Sequence, residues 1–99
     1  MSKRVWKITD FECPICLEMS KFDEPIIVSY DFELVRVTFN EVLDWPRLTK
    51  FVKANLLNDD GTIDLPIYAV EENNFFVGAI TGKNTKSEFK RKLLQVAYD

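Results

Sequence analysis

Two cysteines three residues apart, Cys13-Pro14-Ile15-Cys16, stand where the chain changes its periodicity. Before them, Arg4 to Phe11 places Val5, Trp6 and Ile8 among polar residues, the pattern of a strand. After them, Leu17, Met19, Phe22, Ile26 and Ile27 recur at helical spacing, with Pro14 in the first turn, where no intrahelical N–H is needed. A strand running straight into a helix through such a pair constrains the fold more than any other feature of the sequence. It also carries chemistry. A thiolate at a helix start is stabilised by unpaired backbone N–H groups and the helix dipole, so Cys13 is expected to ionise below the free value of about 8.5. Cys16 lies on the same helical face, within reach to resolve a mixed disulfide.

The rest of the chain reads as a second strand at Glu33–Phe39, with Val35, Val37 and Phe39 on one face and Arg36 on the other. Asp44 is expected to cap a helix that has Pro46 in its first turn and Leu48, Phe51, Val52, Asn55 and Leu56 along its inner face. Trp45, leading that apolar pattern, is expected in the core. Asn58-Asp59-Asp60-Gly61 is a loop. Ile67–Val70 and Phe75–Ile80 form an antiparallel hairpin turning at Glu72-Asn73-Asn74. A last helix is capped by Thr85 or Ser87; it turns Phe89, Leu93, Val96 and Ala97 inward and Lys86, Lys90, Arg91 and Lys92 to water. Pro25 is expected to kink or end the first helix near Asp23-Glu24. The order is β-α-β-α-β-β-α in one domain spanning residues 1–99.

Composition narrows the function. With no histidine, Ser-His-Asp and Cys-His pairs and His-ligated zinc are excluded. Thirteen basic residues against sixteen acidic ones give a net charge of −3 and no general attraction for nucleic acid or an anionic membrane. No apolar run suggests a signal peptide or a membrane helix, so the expected location is the cytoplasm. The protein is expected to be a monomer. Other readings of the cysteines remain: two buried small hydrophobes, a structural disulfide, or half of a zinc or iron–sulfur site shared between two copies. Glu12 to Glu18, with Pro25 and Ile26 downstream, also resembles the opening of a RING finger, but the six further zinc ligands such a domain needs are absent.

From Val5 to about Ala97 the chain resembles the thioredoxin fold, and within it thioredoxins and glutaredoxins. Cys13-Pro14-Ile15-Cys16 is similar to the glutaredoxin Cys-Pro-Tyr-Cys, Leu65-Pro66-Ile67 falls where the family has a cis-proline before its third strand, and Val77-Gly78-Ala79 is similar to the Val-Gly-Ala that thioredoxins carry after the fourth. The resemblance implies an α/β fold, a four-stranded mixed sheet flanked by three helices. It implies a thiol–disulfide oxidoreductase reducing protein disulfides, with Cys13 as nucleophile, Cys16 as resolving thiol, and Pro14 and Pro66 shaping the site. Phe11, Ile15 and Leu65 would grip substrate, and Asp10 is the candidate proton acceptor for Cys16. No bound cofactor or metal is implied; electrons would come from a flavoprotein thioredoxin reductase or from glutathione. Glu12 and Lys7 stand where thioredoxins have a tryptophan and a buried aspartate, and on that account an interaction module without redox activity is the alternative function. The stretch from Cys13 to Pro66 is long for the family, with the extra length expected around Asn40–Leu43 and Asn58–Asp64, beside the redox face.

Overall fold

The computed structural model describes residues 3–98. Its strands are β1 (Lys3–Thr9), β2 (Glu33–Thr38), β3 (Ile67–Glu72) and β4 (Phe75–Thr81). Its helices are α1 (Pro14–Met19), α2 (Asp23–Ser29), α3 (Pro46–Asn55) and α4 (Lys86–Tyr98), with a 3₁₀ helix at Phe39–Asp44. The strands lie in the order β2-β1-β3-β4. β1 runs parallel to β2 (Trp6 opposite Val35) and antiparallel to β3 (Trp6 opposite Ala69), so the sheet is mixed as expected. β3 and β4 close through Asn73 and Asn74, both at positive φ, the backbone that a two-residue hairpin turn requires and asparagine tolerates. Among the described residues no helix is long and apolar enough to cross a membrane.

Alternation along the strands sorts the core into two layers. Val5, Tyr68, Val70 and Ile80 meet Ile27 of α2 and Phe89 and Leu93 of α4 on one face. Trp6, Ile8, Val37, Ile67 and Ala69 meet Val42, Leu48 and Val52 on the other, under the 3₁₀ helix and α3. At Gly78 a Cβ would stand 2.7 Å from Val96, so the absence of a side chain lets α4 lie close on β4.

Several local expectations need correction. The first helix is two helices: the chain breaks at 20–22, and Pro25 lies in the first turn of α2, where its missing N–H costs nothing. Phe39 leaves β2 and opens the 3₁₀ helix, half-exposed. There the Thr38 backbone N–H and hydroxyl both donate to the Glu41 carboxylate. Trp45, not Asp44, occupies the cap position of α3, without a side-chain cap. It is 46 % exposed, not core, its ring meeting the Trp6 ring edge-on at 5.0 Å. Asn55 is exposed as well. At α4 the cap is Thr85, which accepts from the Glu88 N–H while the Glu88 carboxylate accepts from the Thr85 N–H; Ser87 is inside the helix. Lys92 does not simply face water: its Nζ donates to Asn84 Oδ1 at 2.6 Å.

Candidate thiol–disulfide site

Cys13 ends the extended segment after β1 and caps α1, with φ −129° and ψ 95°. Its Sγ accepts the backbone N–H of Cys16 at 3.1 Å. The two cysteines are joined as a disulfide, with Cα atoms 5.2 Å apart. Proline at the first position of α1 fixes the helical φ just where the loop must stay short enough for the sulfurs to meet. Cys13 is partly exposed, whereas Cys16 is 6 % exposed. The pair is therefore asymmetric: an incoming sulfur reaches Cys13 first. Because α1 has six residues, its dipole is a weaker aid than the sequence suggests, and the directed N–H of Cys16 is the stronger local donor to sulfur.

A groove of about 590 Å³ opens beside Cys13. Pro14 and Ile15 form one wall, Ile63, Asp64 and Leu65 another, and Thr81, Gly82 and Lys83 the third. The Leu65–Pro66 peptide bond is cis. The N–H of Gly82, at φ 71°, donates to Pro66 O at 3.0 Å and ties the loop after β4 to the proline. This places the segment after the fourth strand at Thr81-Gly82-Lys83; Val77-Gly78-Ala79 lies inside β4, where Gly78 serves the packing of α4. Of the residues expected to surround the sulfurs, Ile15 and Leu65 line the groove, Pro66 is buried beneath it, and Phe11, 86 % exposed, is outside its walls.

Asp10 is exposed, and its carboxylate accepts the Phe11 N–H at 2.8 Å. It nevertheless borders both the Cys13 groove and a smaller cavity of about 250 Å³ reaching Cys16, whose other walls include Lys7, Ser20, Glu24 and Arg36. Behind that cavity lies a cluster that the sequence reading missed. Lys7 is buried in β1, its Nζ 2.9 Å from Asp23 Oδ2 and donating to Glu24 Oε2 at 2.9 Å. Asp23 is 0 % exposed and accepts the Tyr68 hydroxyl at 2.6 Å; Arg36 of β2 clamps Glu24 from outside. The Arg36 guanidinium and then Lys7, working against burial, hold the Glu24 carboxyl down to about 2. Burial, and then the Asp23 carboxylate, push the Tyr68 phenol up. Lys7 thus brings its counter-charge from α2, so a buried aspartate is present after all, contributed by a different element. A lysine inside the buried run Val5–Ile8 is the signal: a buried cation demands an acid across the layer.

No family model matches the chain, and no curated protein matches it. Solved structures do. The periplasmic thioredoxin SoxS of Paracoccus pantotrophus superposes with a TM-score of 0.70 at 13 % identity, over 96 % of this chain and 95 % of that one. The oxidised thioredoxin of Plasmodium falciparum gives 0.66 at 18 % identity, over 97 % and 82 %. Thioredoxin NaTrxh of Nicotiana alata gives 0.66 at 18 %, over 95 % and 72 %. Likeness at these identities carries the architecture, and with the mixed β2-β1-β3-β4 sheet and the cysteine pair at the β1–α1 junction it establishes that this chain has the thioredoxin fold.

Proposed function

We propose that the protein is a thiol–disulfide oxidoreductase that reduces protein disulfides by dithiol exchange. The observation that carries this reading is the asymmetry of the pair: Cys13 is open to a groove and accepts the Cys16 N–H, while Cys16 is nearly buried. In the dithiol state that N–H favours the Cys13 thiolate. Its sulfur attacks a half-cystine of the substrate; the Cys13–substrate S–S bond forms, the substrate S–S bond breaks, and the other half-cystine leaves as a thiolate. Cys16 then loses its proton and attacks Cys13 Sγ, which closes the intramolecular bond and releases the second substrate thiol. Two electrons pass to the substrate. Glu24, held near 2, is too weak a base to take the Cys16 proton. Asp10, at the mouth of the cavity that reaches Cys16, is the proposed acceptor through water.

Pro14 and Pro66 would shape the reactive loop and the groove, and Ile15 and Leu65 would contact substrate, with Phe11 reaching it from outside. Electrons would return from a flavoprotein thioredoxin reductase or from glutathione. A reducing compartment such as the cytoplasm, with the protein acting as a monomer, completes the proposal. Insulin-disulfide reduction driven by dithiothreitol tests it. The intact protein accelerates the reaction, Cys13→Ser abolishes the acceleration, and Cys16→Ser accumulates a mixed disulfide at Cys13. Full activity in Cys13→Ser would reject the mechanism, and inert cysteines in the intact protein would favour the interaction module.

A further inference from the structure

A second cavity, of about 470 Å³, adjoins the cysteine groove. Val42 and Val52 form its buried floor, and Leu43, Leu57, Ile63 and Leu65 its sides. The 3₁₀ helix, α3 and the segment leading to Pro66 enclose it. Its size is in the range of pre-formed ligand pockets, roughly 300–1,000 Å³. Its sides are unusually bare: Leu43 is 71 % exposed and Leu57 nearly half exposed. Apolar surface left open in one place marks a contact site. Asp10, Ile63 and Leu65 belong to both cavities, so the apolar opening and the Cys13 groove share a wall. The groove itself is acidic: Asp10, Glu12 and Asp64 line it against Lys83 alone, and Lys83 faces Glu18 at 3.7 Å.

We propose that these adjoining openings select the substrate: a protein segment with a basic residue beside the reactive half-cystine and, a few residues along, a large apolar side chain seated between the 3₁₀ helix and α3. The inference rests on the thiol–disulfide reading above. Continuity of the two openings and complementary charge argue for one extended chain as the occupant, since such a chain advances about 3.3 Å per residue and turns alternate side chains to one face. A cation beside the substrate sulfur meets the three carboxylates. It also lowers the pKa of the departing thiol, which then leaves faster. The same carboxylates disfavour an acidic peptide at that position.

The test is single-turnover reduction of synthetic peptides, each closed by one disulfide, by the fully reduced protein, with the peptide dithiol followed by mass spectrometry. Leucine replaces alanine at successive positions after the half-cystine, and lysine or glutamate stands beside it. One leucine position should raise the second-order rate constant about tenfold. Lysine should exceed glutamate several-fold, a gap that added salt narrows. The Leu43→Ser/Leu57→Ser protein should reduce the favoured leucine peptide only as fast as the intact protein reduces the alanine peptide. Glu12→Gln/Asp64→Asn should shrink the lysine preference.

Equal rates for all peptides would overturn the selection while leaving the exchange activity standing; reduction of none would overturn both. A leucine preference that survives Leu43→Ser/Leu57→Ser would remove the cavity from the account. Without a leucine preference, stoichiometric binding of a small apolar dye, or a dimer dissolved by that double variant, would assign the cavity to another occupant and overturn the proposal. Should the double variant fail to fold, the peptide series on the intact protein decides alone.

Discussion

The two faces of the sheet differ in what they leave open beside the cysteines. Under α2 and α4, the side chains of Val5, Ile27, Tyr68, Val70, Phe89 and Leu93 are wholly shut from water. That face also encloses a charge cluster, Lys7 with Asp23 and Glu24. Under α3 and the 3₁₀ helix, Ile8, Leu48, Ile67 and Ala69 are as well sealed, yet Phe39, Leu43, Trp45 and Leu57 remain open at the edges. This second face holds a buried acid too, but in another place. Glu71 accepts the Trp6 indole N–H at 3.0 Å and pairs with Arg4 and Arg47. It lies opposite Arg4 in register, at the end of β1 away from Cys13. The polar anchoring through Glu71 is thus kept far from the sulfurs, and an apolar cavity is left beside the acidic Cys13 groove. One face secures the fold; the other leaves room beside the reactive pair for something to bind.

The largest losses are expected on the closed face. Lys7→Leu leaves the Asp23 carboxylate in the interior with hydrogen bonds from the Tyr68 hydroxyl and the Glu24 N–H but without the Lys7 counter-charge, and should cost about 3–5 kcal/mol by urea unfolding. Lys7→Leu/Asp23→Leu should cost less than the sum of the single changes, because the stranded charge goes too. Phe89→Ala, in the same layer, should cost about 3–5 kcal/mol through the cavity it leaves, whereas Leu43→Ser on the open face should change stability by no more than about 0.5 kcal/mol. Comparable losses at Phe89 and Leu43 would erase the distinction between the faces.

The folded Glu24 carboxyl sits at about 2, below its ordinary 4.5. Its contribution is therefore complete above about 4.5 and is lost as the pH falls towards 2. Glu24→Gln should lower stability by about 1 kcal/mol at pH 7, and the intact protein and the variant should converge as the pH approaches 2. A constant difference from pH 7 to pH 2 would show that Glu24 acts through packing and not through its charge.

Much of this arrangement was legible in the residues. Alternation gave β1, β2 and the hairpin to within a residue or two, and Asn73-Asn74 marked the turn because few other residues accept positive φ there. The cysteine pair was placed by the change of period on either side of it. The failures share a cause: local pattern was asked to settle what the tertiary layers decide. Trp45 fits an apolar helical stripe, yet it falls at the rim, its ring edge-on to Trp6 and 46 % exposed. Val77-Gly78-Ala79 matched by letters, but the register of β4 turns Gly78 towards Val96 and leaves the groove to Thr81-Gly82-Lys83. Lys7 stands in place of an acid on its own strand, while Asp23 comes from a helix sixteen positions later, and nothing local joins them. The apolar cavity needed three segments distant in sequence to meet, so no single stretch announced it.

The central claim is that the two thiols of the reduced protein are unlike: Cys13 ionised early and accessible, Cys16 nearly buried. Alkylation by iodoacetamide across the pH range, with each cysteine resolved by peptide mass spectrometry, measures that difference. Modification is expected at Cys13 alone, with a rate that titrates well below 8.5 and nearer 7. Equal modification of both cysteines, or a Cys13 rate titrating at 8.5 or above, would contradict it.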